Sequence, residues 1–272
     1  MTPAAAPLPP VLLVGGGRMG GALLRGWRER GLAPSVVLDP APEAAALAAE
    51  GVTVVASADS IPPSFRPAAL VLAVKPQAAG AALPAVVGLA RDGTVALSIM
   101  AGRTIAGIEA LLPGAALVRA MPNTPAAIGR GITVACAGPG VAASQRDLCG
   151  ALLAAVGEVA WVEEEGMLDA VTAVSGSGPA YVFLLAELLE QAATEQGLPP
   201  ALARQLSRAT VAGSGALLAA SAEDAAALRR AVTSPGGTTQ AALAVLMEEA
   251  GWPAILSRAV AAAAQRSREL AG

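Results

Sequence analysis

The residues best suited to chemistry lie in three short stretches. Near the start, Gly15-Gly16-Gly17-Arg18-Met19-Gly20 follows the apolar run Val11-Leu12-Leu13-Val14 and leads into Ala22-Leu23-Leu24. The spacing of Gly15, Gly17 and Gly20 is that of a dinucleotide-binding turn. The first glycine permits a tight bend, the second lets backbone approach a pyrophosphate, and the third lets helix and strand pack closely. Much later, Ser175-Gly176-Ser177-Gly178-Pro179-Ala180-Tyr181 and Thr233-Ser234-Pro235-Gly236-Gly237-Thr238-Thr239 each open onto an apolar helical run. A glycine-rich turn at a helix start presents unpaired N–H groups and the positive end of the helix dipole, which suits a carboxylate or another small anion. A dinucleotide at the front and a small acid at the back imply redox chemistry.

Composition narrows the choice. The chain has no His and only two cysteines, Cys136 and Cys149, which excludes His-based triads, His metal ligands and a cysteine-rich zinc site. No metal site is expected, and both cysteines read as small buried hydrophobes. A net charge of −3 with only six aromatic residues offers neither a basic surface nor a stacking platform, so nucleic acid is not an expected partner. Met1 to Pro10 lacks the basic region of a signal peptide, which points to the cytoplasm. The longest uncharged run, Ala170 to Ala186, contains the Ser/Gly/Pro cluster, and no membrane span is expected from it. Lys75 is the single Lys among eighteen basic residues, and a compact ammonium there suits a position near a ligand.

Elements that would position these groups follow from the pattern. Short apolar runs at Val11 to Val14, Ser35 to Leu38, Val52 to Val55, Leu70 to Val74 and Thr94 to Ile99 are bounded by Gly, Pro or Asp, as buried parallel strands should be. Helices are expected at Met19 to Arg30 and Pro42 to Glu50, each stopped by a glycine, Gly31 or Gly51. Further strands are expected at Ala116 to Arg119, Thr133 to Ala137 and Glu158 to Val162. The alternation predicts an α/β fold: an N-terminal Rossmann doubly wound sheet over residues 1–165, then an all-α domain over 166–272. Helices in the second part read Met167 to Val174, Pro179 to Gln196, Pro199 to Ala220, Glu223 to Val232, Thr238 to Ala250 and Pro253 to Leu270. They are apolar nearly all round, so burial against a second subunit is expected.

Three further positions fall where open α/β sheets bind ligands, at the carboxyl ends of strands. Asp39 closes the second strand, either accepting hydrogen bonds from an adenosine ribose or capping the next helix. Ala73-Val74-Lys75-Pro76 ends the fourth. Asn123 and Thr124 lie in the loop Arg119 to Pro125, read either as a wall of the nicotinamide pocket or as a rigid surface turn.

With these motifs in this order, the chain resembles the pyrroline-5-carboxylate reductases over nearly its whole length. The motifs at Ser175 to Tyr181 and Ser234 to Thr239 are the most specific. The resemblance implies reduction of 1-pyrroline-5-carboxylate to L-proline with NADPH or NADH, the last step of proline biosynthesis. It also implies a helical domain that interlocks as a homodimer, with dimers gathered into rings such as a decamer. On it, the cofactor is held by Gly15, Gly16, Gly17, Arg18, Met19, Gly20, Asp39, Ala73, Val74, Lys75, Pro76, Asn123 and Thr124. The substrate is held by Ser234, Gly236, Gly237, Thr238 and Thr239, its carboxylate on the amides of Gly236, Gly237 and Thr238, with Thr239 catalytic at the imine nitrogen. Helix capping is the rival role for Thr238 and Thr239. Two departures bear on cofactor preference: Ala58-Asp59 stands where many members carry Asn, and Asp39-Pro40-Ala41-Pro42 where members favouring NADPH place small polar or basic residues.

A cyclic imine is partly protonated near neutral pH and its carbon is then electrophilic, so a chain without His needs no strong acid. Positioning supplies most of the catalysis. A β-hydroxyacid dehydrogenase of similar layout would use a Lys in the helical domain, and this one has none. A regulatory dinucleotide sensor would not need the Ser234 to Thr239 loop.

Overall fold

A computed structural model describes residues 7–91 and 93–271. It divides into two compact units, one running to Gly176 and taking back the chain from Ala263 onward, the other Ser177–Ala262. The first unit holds β1 (Val11–Val14), α1 (Arg18–Glu29), β2 (Ser35–Leu38), β3 (Val52–Val55), β4 (Ala69–Leu72), α2 (Ala79–Ala82) and β5 (Val95–Ser98). It continues with α3 (Ile105–Glu109), β6 (Ala116–Met121), β7 (Gly131–Ala137), α4 (Ala143–Leu153), β8 (Gly157–Val162) and α5 (Met167–Val171).

The strands form one sheet in the order β3-β2-β1-β4-β5-β6-β7-β8, and every neighbouring pair is parallel except β6 with β7. Its first six strands have the doubly wound order expected of a dinucleotide fold. Period-two alternation fills both faces: Leu12 and Val14 of β1 join Leu70 and Leu72 of β4 in one core layer, while Val11, Leu13, Ala69 and Val71 enter the other. Leu83, Ile105 and Ile108 cover the first layer; Leu23, Leu24 and Trp27 of α1 and Leu152 and Leu153 of α4 cover the second. Trp27 is wholly buried and its indole N–H donates to the Leu152 carbonyl at 2.8 Å, so its one polar atom costs nothing to bury.

Pro42 to Glu50, expected as an α-helix stopped by Gly51, is instead a 3₁₀ segment over Pro42–Leu47, with Gly51 at φ +74 in the turn into β3. Of its residues only Ala44 is buried, so packing provides no apolar face to sustain a longer helix.

A second difference concerns Ser175 to Tyr181, expected as a turn that opens a helix. From Met167 to Glu195 the chain is one helical run, widened into a π turn at Thr172–Gly176. Small residues make this possible. The Thr172 and Ser175 hydroxyls donate to the carbonyls of Leu168 and Val171 at 2.7 and 3.1 Å. A Cβ on Gly176 would lie 2.7 Å from Cε of Met121. Among the described residues this run is the one helix long and apolar enough to cross a membrane, so the cluster does not break it as expected.

The unit boundary also differs from the 165/166 division read from the sequence. Leu168 lies in the first core layer, and the Ser267 hydroxyl donates to Asp169 Oδ1 at 2.6 Å, which ties the end of the chain to α5. The second unit comprises α6 (Gly178–Glu195), α7 (Pro200–Ala220), α8 (Ala225–Ala231), α9 (Thr238–Leu246) and the first part of α10 (Trp252–Ala271). Gly197, at φ +88, turns the chain between α6 and α7, and Glu190 meets Arg204 at 3.1 Å. Asp224 caps α8 by accepting the Ala227 N–H at 2.6 Å. The unit leaves large apolar side chains in contact with solvent: Phe183 is 66 % exposed and Leu217 57 %.

Both cysteines are free thiols buried in the first unit, and burial pushes the Cys149 thiol up to about 12 from an ordinary 9. Neither should react with a thiol reagent at pH 8 until the protein unfolds, a difference a colorimetric thiol titration reads directly. The unfolded chain loses this proton above about pH 9 and the folded one keeps it to about 12. Cys149 therefore contributes stability below pH 9 that disappears as pH rises through that interval.

Candidate active site

The turn after β1 is built by close approach. Gly15 sits at φ +99, its N–H donates to the Leu38 carbonyl at 2.9 Å, and a Cβ there would lie 2.8 Å from the Ala73 backbone. A Cβ on Gly20 would collide with the Gly15 carbonyl and come within 3.3 Å of Ala73 Cβ. Gly17 is different. It precedes α1 in extended conformation, and nothing in the protein lies within 4 Å of the place its Cβ would occupy. Folding fixes glycine at 15 and 20, whereas at 17 nothing in the described protein requires it. The first N–H groups of α1 have no partner within the helix, and no acidic side chain occupies its first turn. These residues fit the pyrophosphate of a dinucleotide.

Asp39 stands beside this turn. Its Oδ2 accepts the Gly16 N–H at 2.6 Å and its Oδ1 the Ala41 N–H at 2.9 Å. The helical segment behind it begins after Ala41, so Asp39 makes an Asx-type turn and a bond across to the glycine loop rather than a helix cap. Each carboxylate oxygen keeps a lone pair for a further donor.

On the other side of the turn, Ala73 donates its N–H to the Val14 carbonyl at 2.8 Å, and Val74, Lys75 and Pro76 lead the chain off the sheet. Lys75 is exposed. Sequence reasoning missed Arg103, whose Nε and Nη2 both donate to the Pro76 carbonyl, at 3.3 and 2.9 Å, bracing this connection from the loop after β5. After β6, the Asn123 Oδ1 accepts the Ile132 N–H at 3.0 Å, so that side chain ties its loop to β7 and Thr124 stays exposed. Gly15 to Gly20, Asp39, Ala73 to Pro76, Asn123 and Thr124 thus lie at the carboxyl ends of β1, β2, β4 and β6.

In the second unit, Ser234 to Thr239 form the turn that starts α9. Gly236 sits at φ +70, and the Gly237 N–H donates to the Ser234 carbonyl at 3.0 Å. A Cβ on Gly237 would lie 2.5 Å from Ser234 Oγ. Gly237 is the capping position and carries no side-chain cap, so Thr238 and Thr239 are the first helical residues and not its caps. Their N–H groups lack helical partners by position. Neither hydroxyl has a hydrogen bond among the described residues, and Thr239 is half-buried. Of the three amides expected to hold a carboxylate, the Gly236 N–H donates to Gln240 Oε1 at 2.6 Å and the Gly237 N–H to Ser234, which leaves Thr238. No group of three or more potential metal ligands occurs among the described residues.

Comparison with known proteins fits both units. Residues 165–270 match the family described as pyrroline-5-carboxylate reductase dimerisation, and residues 10–102 match NADP oxidoreductase, coenzyme F420-dependent. The pyrroline-5-carboxylate reductase of Pseudomonas aeruginosa is 39 % identical, with 97 % of each chain covered. That of Mycobacterium tuberculosis is 39 % identical, with 96 % of each covered. The solved structure of a Coxiella burnetii pyrroline-5-carboxylate reductase superposes with a TM-score of 0.89 at 31 % identity, covering 96 % of this chain and 98 % of that one. A Plasmodium falciparum pyrroline carboxylate reductase with NADP bound gives 0.81 at 26 % identity over the same shares.

Proposed function

Because the chain belongs to the pyrroline-5-carboxylate reductase family, we propose that it reduces 1-pyrroline-5-carboxylate to L-proline with NADPH or NADH. The observation that carries this reading is the turn at Ser234 to Thr239, where two adjacent amides stand at a helix start without helical partners and a half-buried hydroxyl makes no hydrogen bond among the described residues. In this reading the Thr238 and Thr239 N–H groups hold the substrate carboxylate. The Thr239 hydroxyl accepts from the protonated ring nitrogen, fixing the ring and steadying the charge as it moves. Bound NAD(P)H supplies the hydride. Gly15 to Gly20 hold its pyrophosphate, and Asp39 faces its adenosine ribose.

We assign 1–165 to the dinucleotide and 166–272 to dimerisation and substrate. The second range nearly coincides with the dimerisation family's 165–270. The exposed apolar side chains of α6 and α7 are then covered by a second copy of the chain rather than by lipid, and a decamer of five dimers is the larger assembly proposed. The protein works in the cytoplasm, where its two free thiols stay reduced. Light scattering should find at least a dimer at micromolar concentration; a stable, active monomer would remove the reading of α6 and α7 as an interface.

The decisive assay is steady-state oxidation of NADH and NADPH with pyrroline-5-carboxylate, and identification of L-proline as product. Cofactor binding without turnover would mark a sensor instead.

A further inference from the structure

We propose that Gln240 is an internal competitor for the substrate carboxylate, setting the affinity of the Ser234 to Thr239 turn. The inference rests on the reading of that turn as the carboxylate seat. Gln240 is the third residue of α9, and its Oε1 accepts the Gly236 N–H at 2.6 Å. Gly236, at φ +70, immediately precedes the capping Gly237, two and three residues before Thr238 and Thr239 in the same turn. On this proposal a carboxylate seated on those two amides gains the Gly236 N–H as a third donor once the Gln240 carbonyl leaves it.

The chemistry of exchange favours the substrate. Gln240 offers a neutral carbonyl, whereas a carboxylate makes a charge-assisted bond of roughly twice the strength. Its side chain is exposed, so it can swing into water and recover a hydrogen bond there. The rival role is a helix cap. A Gln at the third position of a helix commonly reaches back to the capping N–H, as Gln145 does in α4 by accepting the Ala142 N–H at 2.9 Å. In α9 the capping residue is Gly237, whose N–H already donates to Ser234, and Gln240 reaches one residue further, to Gly236.

The two roles predict opposite signs. As a competitor, Gln240→Ala should lower KM for pyrroline-5-carboxylate about two- to tenfold, the scale of one hydrogen bond, with kcat moving less than KM. The dissociation constant of L-proline, read by calorimetry on the full-length protein, should fall by a similar factor. Gln240→Glu, which places a fixed anion on the same N–H, should raise both. A brace that shapes the turn would give the reverse for Gln240→Ala, a higher KM and weaker L-proline binding. That result, or values indifferent to residue 240, overturns the proposal. Wild-type protein that turns over no pyrroline-5-carboxylate overturns the substrate reading instead.

Discussion

Thr239→Ala is expected to lower kcat about ten- to a thousandfold, the range for losing one or two hydrogen bonds to a reacting group. Its KM for the reduced cofactor should move far less, because the residue lies in the first turn of α9 and not in the glycine loop. Thr239 has no structural duty that would produce the same loss. The cap position of α9 is Gly237, and the Thr239 hydroxyl makes no hydrogen bond among the described residues. Truncating an unpartnered, half-buried hydroxyl should leave thermal stability within about 0.5 kcal/mol. Thr239→Ser keeps the oxygen and should restore most of the activity. Kinetics of the Ala variant equal to wild type would return the residue to a packing role, and a large stability loss with proportionate activity loss would do the same.

The dinucleotide half of the molecule was the more legible from sequence. Val11 to Val14, Ser35 to Leu38 and Val52 to Val55 form strands with the expected bounds, because short runs of three or four β-favouring apolar residues bounded on at least one side by Gly, Pro or Asp have few alternatives in a sheet. The glycine spacing also placed the turn, since Gly15 and Gly20 are each required by an atom less than 3 Å from the missing Cβ. The antiparallel turn of β7 left no mark, because Ile132 to Ala137 is as apolar as a parallel strand. The π turn was hidden for a related reason. Ser, Gly and Pro ordinarily punctuate a helix, yet here the hydroxyls of Thr172 and Ser175 are absorbed by carbonyls of the preceding turn.

Site side chains divide in the same way. Spacing was enough to place the residues whose conformation the backbone dictates, Gly15 and Gly20. It was not enough for those whose role depends on a long-range bond: Arg103 reaches a carbonyl 27 residues away in sequence, and nothing in its own neighbourhood announces that partner. The partner of Asp39 lies 23 residues back, so sequence could place it at the end of β2 without revealing its tie to Gly16. Gln240 carried a readable signal, a Gln in the first turn of a helix, but that pattern by itself suggests only a cap.

The tie between Asp39 and Gly16 makes cofactor preference the second large effect. The carboxylate is held at the edge of the glycine loop by two backbone N–H groups, 2.6 and 2.9 Å away, so it cannot easily turn aside from an incoming ribose. On the proposed reading its remaining lone pairs accept from ribose hydroxyls and repel a 2′-phosphate. Between like charges about 4 Å apart, an effective dielectric of about 20 gives a repulsion of roughly 4 kcal/mol, and the sequence from Gly31 to Phe65 supplies no Arg to offset it. Solvent and ions reduce that figure at a half-exposed edge, yet even a third of it is about tenfold in rate. NADH should therefore serve at least as well as NADPH, measured as the ratio of kcat/KM values. Asp39→Ser should shift that ratio toward NADPH by tenfold or more, with part of the change appearing as a poorer KM for NADH, because the ribose acceptor is lost with the charge. Lowered ionic strength should widen the wild-type preference, since screening weakens the repulsion and not the hydrogen bonds. A wild-type preference for NADPH of tenfold or more would mean that Asp39 serves only the two backbone N–H groups it already holds, leaving the 2′-phosphate to be recognised elsewhere.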